Sequence, residues 1–129
     1  MRSIKFRAWD KVNKQMCYDL SILSFSHEGY ELVAGYYPEN GDYYELELLQ
    51  FTGLKDKTGK AIFEGDIVKD AYGYLFEINY KEGYARFNFR RITGITNGEM
   101  TWHILLFGGE VIGNIYENPE LLTAKERKE

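Results

Sequence analysis

The sequence predicts an all-β fold of small curved sheets, with a partly open barrel in the C-terminal half and a short helical turn near the C-terminus. Aromatic content is the first observation behind this: among 129 residues stand 11 tyrosines, 8 phenylalanines and 2 tryptophans, against only 2 prolines. Aromatic side chains suit pleated, half-buried surfaces and are enriched in strands. The second is a period of two, with apolar and polar residues alternating in run after run, as strands with one buried face require. The third is the spread of 13 glycines through turn-forming clusters between those runs.

Ile4, Phe6 and Ala8 alternate with Lys5, Arg7 and Trp9, giving a first strand with one buried face. Asp10 to Lys14 supplies turn chemistry, because Asp and Asn side chains bond nearby backbone amides, and Met16 to Leu20 completes a hairpin. The short apolar run Leu20 to Phe25 fits either a strand or a brief helix. Ser26 to Gly29 reads as an exposed turn and Glu31 to Tyr37 as a strand, closed by Pro38 and the turn-prone residues Glu39 to Asp42. Tyr43 to Phe51 alternates as a strand does, although its leucines and glutamates are also good helix formers. Thr52 to Lys60 then reads as a loop or tight hairpin, with glycines at Gly53 and Gly59.

Ala61 to Phe63 is a short extended piece, and Glu64-Gly65-Asp66 is a turn into the strand Ile67 to Lys69. Tyr74 to Tyr80 and Tyr84 to Phe89 form two strands, with Gly83 in the link as the residue suited to positive φ. Thr101 to Phe107 follows the turn at Asn97-Gly98, and Gly108-Gly109 permits a sharp reversal into Val111 to Tyr116. Strands joined by short turns over this span suit a small, nearly closed barrel. Asn118 followed by Pro119 reads as an N-cap and first position of one helical turn, with a charged tail beyond it. The domain reading is an N-terminal β subdomain at 1–60, a barrel subdomain at 61–122 and a flexible tail at 123–129.

A chain of this size buries roughly two thirds of its unfolded surface and needs no disulfide or structural metal. The one cysteine, Cys17, fits a reducing compartment and reads as a small core hydrophobe. No apolar signal segment opens the chain and no run approaches the ~20 apolar residues that span a bilayer, so the expected location is the cytoplasm, with no membrane partner. The net charge is −4. Residues 1–60 carry eight cations against nine acids, and residues 61–122 five against nine. A whole-domain basic field of the kind that draws proteins onto nucleic acid is absent.

Three segments carry a resemblance: Met1 to Asp10 (MRSIKFRAWD), Gln50 to Val68 (QFTGLKDKTGKAIFEGDIV) and Val111 to Leu122 (VIGNIYENPELL). Together they resemble the YopX family, small proteins encoded mainly by bacteriophages and prophages of Gram-positive bacteria. The likeness spans nearly the whole chain and is weakest at 21–44 and 71–101. It implies an all-β fold whose later part is an SH3-like barrel, and the cytoplasm of a bacterial host. It implies no activity, because the family has no assigned biochemistry.

The residues themselves offer little for catalysis or metal binding. His27 and His103 stand 76 residues apart, the first in a turn and the second on a strand. No zinc-ligand spacing is present, and no cofactor is expected. Glu64 and Asp66 offer two carboxylates to a hard cation, but a turn Asp that accepts backbone N–H bonds explains Asp66 more simply. Lys55 to Lys60 lacks the order of a phosphate loop. Gly53, Gly59, Gly65 and Asp66 are therefore read as structural turn residues.

Two surfaces are candidates for binding. On Tyr84 to Ile92, Arg86, Asn88 and Arg90 would share one strand face opposite Phe87, Phe89 and Arg91. With Lys81, the cations Arg86, Arg90 and Arg91 form a candidate nucleic-acid surface, since small β-barrels hold single strands with interleaved cations and aromatics. The simpler alternative is that the phenylalanines are core and the arginines pair with Glu77, Glu82 or Glu99. The doublets Tyr36-Tyr37 and Tyr43-Tyr44 are the candidate interaction surface, since tyrosine gives rigid contact area at low entropic cost. At a doublet only one ring faces inward, so homo-oligomerisation is a natural outcome. The expected function is a non-enzymatic binding module for a macromolecule, protein rather than nucleic acid. The nucleic-acid-binding barrel is the alternative, and a metal-dependent enzyme a distant third.

Overall fold

The computed structural model describes residues 3–29, 31–36, 46–92 and 108–126, with the backbone alone described for 22, 31–36 and 124–126. The fold is all-β, and its helical segments are short 3₁₀ turns. No helix among the described residues is long and apolar enough to cross a membrane. The chain divides into two compact units, one at Ile4–Gln50 and the other running from Phe51.

In the first unit, β1 (Phe6–Asp10) pairs antiparallel with β2 (Gln15–Cys17) on one side and with the first half of β5 (Leu46–Lys55) on the other. Ala8, Cys17, Leu23 and Leu46 form its core, with Leu20 and Phe25 packed against them. Cys17 is thus the buried free thiol expected from the sequence. Burial along β1 departs from the one-faced expectation: Phe6 and Ile4 are exposed, whereas Arg7, Ala8, Trp9 and Asp10 are all buried. Asp10 earns its burial in the turn, where its carboxylate accepts the amides of Val12 and Asn13 at 2.9 and 3.0 Å and the Asn13 side chain at 2.8 Å. Lys14 takes positive φ, 57°, to close that hairpin.

The ambiguous run after Leu20 resolves into both alternatives: a 3₁₀ turn at Leu20–Ile22 and then β3 (Ser24–Glu28). Asp19 caps the turn by accepting the Ser21 amide. β3 pairs with β4 (Glu31–Tyr36). His27 therefore lies exposed on a strand rather than in a turn, and the reversal falls at Gly29, with φ 63°.

The second unit begins inside β5. The strand runs to Lys55, four residues beyond its expected end, because pairing with β6 (Ala61–Phe63) continues past a register shift between Phe51 and Lys55. Gly53, read from the sequence as a turn residue, sits in that irregularity with φ 89°. The Thr52 hydroxyl holds it, donating to the Ile62 carbonyl at 2.8 Å and accepting the Leu54 amide at 3.1 Å.

A curved antiparallel sheet follows in the order β10-β7-β8-β9, from β7 (Asp66–Lys69), β8 (Leu75–Lys81), β9 (Arg86–Arg91) and β10 (Glu110–Asn114). One face carries Val68, Phe76, Ile78 and Val111, packed with Ile62 of β6 and Phe89. The other carries Ile67, Leu75 and Ile92, covered by Ile115, Leu121 and Leu122. The C-terminal 3₁₀ segment, Pro119–Glu126, supplies those two leucines and extends further than the single expected turn. Ile62, Ile67, Val68 and Ile78 are fully enclosed.

Gly65 shows why a glycine stands before β7. Its φ is 91°, a left-handed conformation that costs an L-residue about 1 kcal/mol or more. Its amide donates to Ile78 at 2.7 Å and its carbonyl accepts from Ile115 at 2.8 Å, so the turn is stitched to its neighbours on both sides. Between β8 and β9 the expectation is corrected: the residue at positive φ is Ala85, at 50°, not Gly83, because a 3₁₀ turn at Glu82–Tyr84 occupies the link.

Candidate functional site

Register on the β8–β9 hairpin fixes where each predicted cation goes. Glu77 lies opposite Arg90, Ile78 opposite Phe89, Tyr80 opposite Phe87 and Lys81 opposite Arg86. Arg86, Asn88 and Arg90 therefore alternate with Phe87, Phe89 and Arg91. Phe89 meets Phe76 edge-on at 5.8 Å between ring centroids, and Phe87 meets Tyr80 likewise at 5.3 Å.

The four cations do not form one patch. Arg90 closes on Glu77 at 2.5 Å, a cross-strand pair with a half-exposed partner that contributes a few tenths of a kcal/mol. Arg91 lies on the opposite face, its guanidinium 3.9 Å from the centre of the Tyr74 ring. Lys81 and Arg86 are brought together at the hairpin tip, on either strand, 4.8 and 5.3 Å from the ring centre of Tyr84. Tyr84 is 64% exposed and Tyr80 44%. The tip is thus a tyrosine ring with two cations against it, and a second aromatic pair beside it. Cation–ring contacts of this exposed kind contribute about 0.5–1 kcal/mol and restrain long side chains that otherwise sample many rotamers.

Tyr37, Tyr43 and Tyr44 lie outside the described residues, as does His103, and of Tyr36 only the backbone in β4 is described. The turn residues are each in view. The Asp66 carboxylate is 2% exposed and accepts the Phe63 amide at 2.8 Å, turning inward to fix the approach to β7. Gly59 has φ 90° and closes its turn by donating to the Asp56 carbonyl at 3.0 Å. The amides that a phosphate loop would present here are already taken: those of Thr58 and Lys60 point at Asp56 Oδ1, at 2.8 and 2.9 Å. Among the described residues no group of three or more His, Cys, Asp or Glu side chains is arranged to hold a metal.

Asp56 is the residue whose weight the sequence reading missed. It is buried, its Oδ1 also accepts the Thr58 hydroxyl at 2.6 Å, and its Oδ2 accepts the Val111 amide of β10 at 2.9 Å. Burial pushes its carboxyl toward the neutral form, but the Thr58 hydroxyl and the amides of Val111, Lys60 and Thr58 outweigh this and hold it below the usual 3.8. Asp19, fully exposed, is lowered by the Ser21 hydroxyl and amide.

The β7–β8 turn repeats the same device. Asp70 Oδ1 accepts the amides of Tyr72 and Tyr74, both at 2.9 Å, and Gly73, at φ 92°, donates to the Asp70 carbonyl at 3.1 Å. Asp56-x-x-Gly59 and Asp70-x-x-Gly73 thus share a spacing that the sequence displays openly. This second turn and Lys57, Lys69 and Glu110 line an open cleft of about 400 Å³.

The crystal structure of protein EF1440 from Enterococcus faecalis is similar to this chain, with 35% sequence identity over 95% of this chain and 99% of that one, and a TM-score of 0.61. No curated protein matches the chain. The profile of the YopX family, described as YopX protein, matches residues 5–123, which takes in every strand described above. The chain belongs to the YopX family.

Proposed function

We propose that this protein is a non-enzymatic binding module, encoded by a phage or prophage and acting in the cytoplasm of the bacterial host, that engages a protein partner through the tip of the β8–β9 hairpin. The observation that carries the reading is the Lys81–Tyr84–Arg86 arrangement. An exposed ring with two cations against it is a rigid, amphipathic contact, and aromatic and arginine side chains of this kind anchor protein interfaces. Charge favours a protein partner: the chain is net −4, Arg90 is neutralised by Glu77, and Glu82 lies beside the tip. An acidic protein surface suits the two cations that remain.

The same geometry gives nucleic acid as the second reading, with Tyr84 as a stacking platform and Lys81 and Arg86 on phosphates. Affinity purification of the tagged chain from lysogenic cells, with and without nuclease, separates the two. A partner retained after nuclease treatment supports the first. Loss of all bound material with nuclease, with affinity for single strands that falls steeply with salt, supports the second and overturns the first.

A further inference from the structure

The two Asp-x-x-Gly turns differ at one atom. In the Asp56 turn both carboxylate oxygens are answered, Oδ1 by the turn itself and Oδ2 by the Val111 amide from a strand 55 residues away. In the Asp70 turn Oδ1 is answered in the same way, but Oδ2 is buried with no hydrogen-bond partner. Asp70 as a whole is 6% exposed. A buried carboxylate oxygen without a donor is costly, since its desolvation is not repaid, and a group kept in that state calls for a donor from elsewhere.

Asp70 lines the cleft of about 400 Å³, a volume suited to a small ligand. The lysine chains around it are uncommitted: neither Lys57 nor Lys69 makes an ion pair among the described residues. Glu110 stands directly opposite Lys69 across the β7–β10 ladder and is uncommitted as well. The stem of Lys69 lies over the turn, its Cε 4.0 Å from the place a Cβ on Gly73 would occupy. Lys69 is exposed, so this flexible chain is free to move without moving backbone. The cleft therefore carries two carboxylates, Asp70 with one oxygen unanswered and Glu110, beside the two ammonium groups of Lys57 and Lys69.

We infer that this cleft binds a small zwitterion of the amino-acid type, its ammonium donating to Asp70 Oδ2 and its carboxylate lying between Lys57 and Lys69. A lone anion satisfies the lysines and leaves Oδ2 unanswered. A lone cation answers Oδ2 and Glu110 but brings nothing to the two ammoniums. A ligand with both groups complements the two carboxylates and the two ammoniums together. The cleft is at the opposite end of β8 from the hairpin tip, so this inference stands apart from the partner surface proposed above.

The test is a ¹⁵N–¹H NMR titration of the full chain with glycine, with methylammonium and acetate as the two half-ligands. Glycine is expected to shift the Tyr72 and Tyr74 amide signals saturably, and each half-ligand to do so at least tenfold more weakly. Asp70→Asn keeps an oxygen for the two turn amides but replaces the free acceptor with a donor, and is expected to weaken glycine at least tenfold. Lys57→Ala, on an exposed turn, is expected to weaken it too and serves if Asp70→Asn fails to fold. The inference is overturned if glycine leaves those amides unmoved up to its solubility, if acetate alone acts as well as glycine, or if the substitutions leave the titration unchanged.

Discussion

The Asp56 carboxylate and the Val111 amide, 2.9 Å apart and 55 residues distant in sequence, tie the β5–β6 turn to strand β10. The Lys57 amide reinforces the link by donating to the Gly109 carbonyl at 3.0 Å. A single side chain thereby does two jobs, shaping its own turn and docking it. The same economy recurs at Asn114, which accepts the Tyr116 and Glu117 amides and donates to the Glu117 carboxylate. Of the six buried polar or charged residues among those described, Asp10, Asp56, Asp66, Asp70 and Asn114 all organise a turn by accepting backbone amides. Arg7 is the sixth.

Asp56→Ala removes an acceptor from three backbone amides and a hydroxyl in a buried setting, and is expected to destabilise the protein by about 3 kcal/mol. Asp56→Asn keeps the Oδ1 set but points an amide donor at Val111 N–H, for an expected cost of about 1–2 kcal/mol. Urea unfolding of the three proteins gives the order.

Acid acts through the same residue. Its folded-state pKa is depressed below 3.8, so its contribution to stability is fully present above the unfolded value and is lost as pH falls through the folded one. The stability gap between the native chain and Asp56→Asn is therefore expected to be full at neutral pH and to narrow as the pH drops below about 4. Urea midpoints of both proteins across that range measure it, and a constant gap contradicts the assignment.

Ala85 is held at φ 50°, where a Cβ meets the following carbonyl, and Lys14 at φ 57°. Ala85→Gly relieves the strain at some entropic cost and is expected to stabilise by about 0.5–1 kcal/mol, with Lys14→Gly moving in the same direction. Thermal unfolding detects this as an upward shift of a few degrees.

Gly113 lies where β10 departs from regular pairing with β7. A Cβ there would come within 2.8 Å of the Asn118 Cγ, and Asn118 Oδ1 accepts the Asn114 amide at 3.1 Å. Gly113→Ala is expected to cost about 1–3 kcal/mol by displacing that side chain. Gly59→Ala is the useful contrast: no atom stands within 4 Å of its Cβ position, so its cost comes from φ 90° alone.

Local patterns were enough to read β7, β8, β9 and β10, because alternation at Ile67–Lys69 and on β8 and β9 is set by which face meets the core; the expected turn at Asn97-Gly98 and strand Thr101 to Phe107 lie outside the described residues. The roles of Gly59 and Gly65 were equally plain, since Asp-x-x-Gly and Glu-Gly-Asp leave few other conformations. Gly53 was not legible as a strand residue, because its irregularity exists only through pairing with β6. Ala85 could not be picked out over Gly83, since the 3₁₀ turn that moves the left-handed position two residues along is a tertiary outcome. At the cleft, Asp56 and Asp70 look alike in sequence. What separates them is whether a distant amide arrives at Oδ2, and no local pattern carries that.

The hairpin tip is the central functional claim, and one comparison bears on it most directly. The triple variant Lys81→Ala, Tyr84→Ala, Arg86→Ala changes side chains that are exposed and belong to none of the three core clusters. Its urea midpoint is expected to correspond to a loss of no more than about 1 kcal/mol, while the partner retained by the native chain after nuclease treatment is lost. Retention of that partner by a folded triple variant would contradict the account.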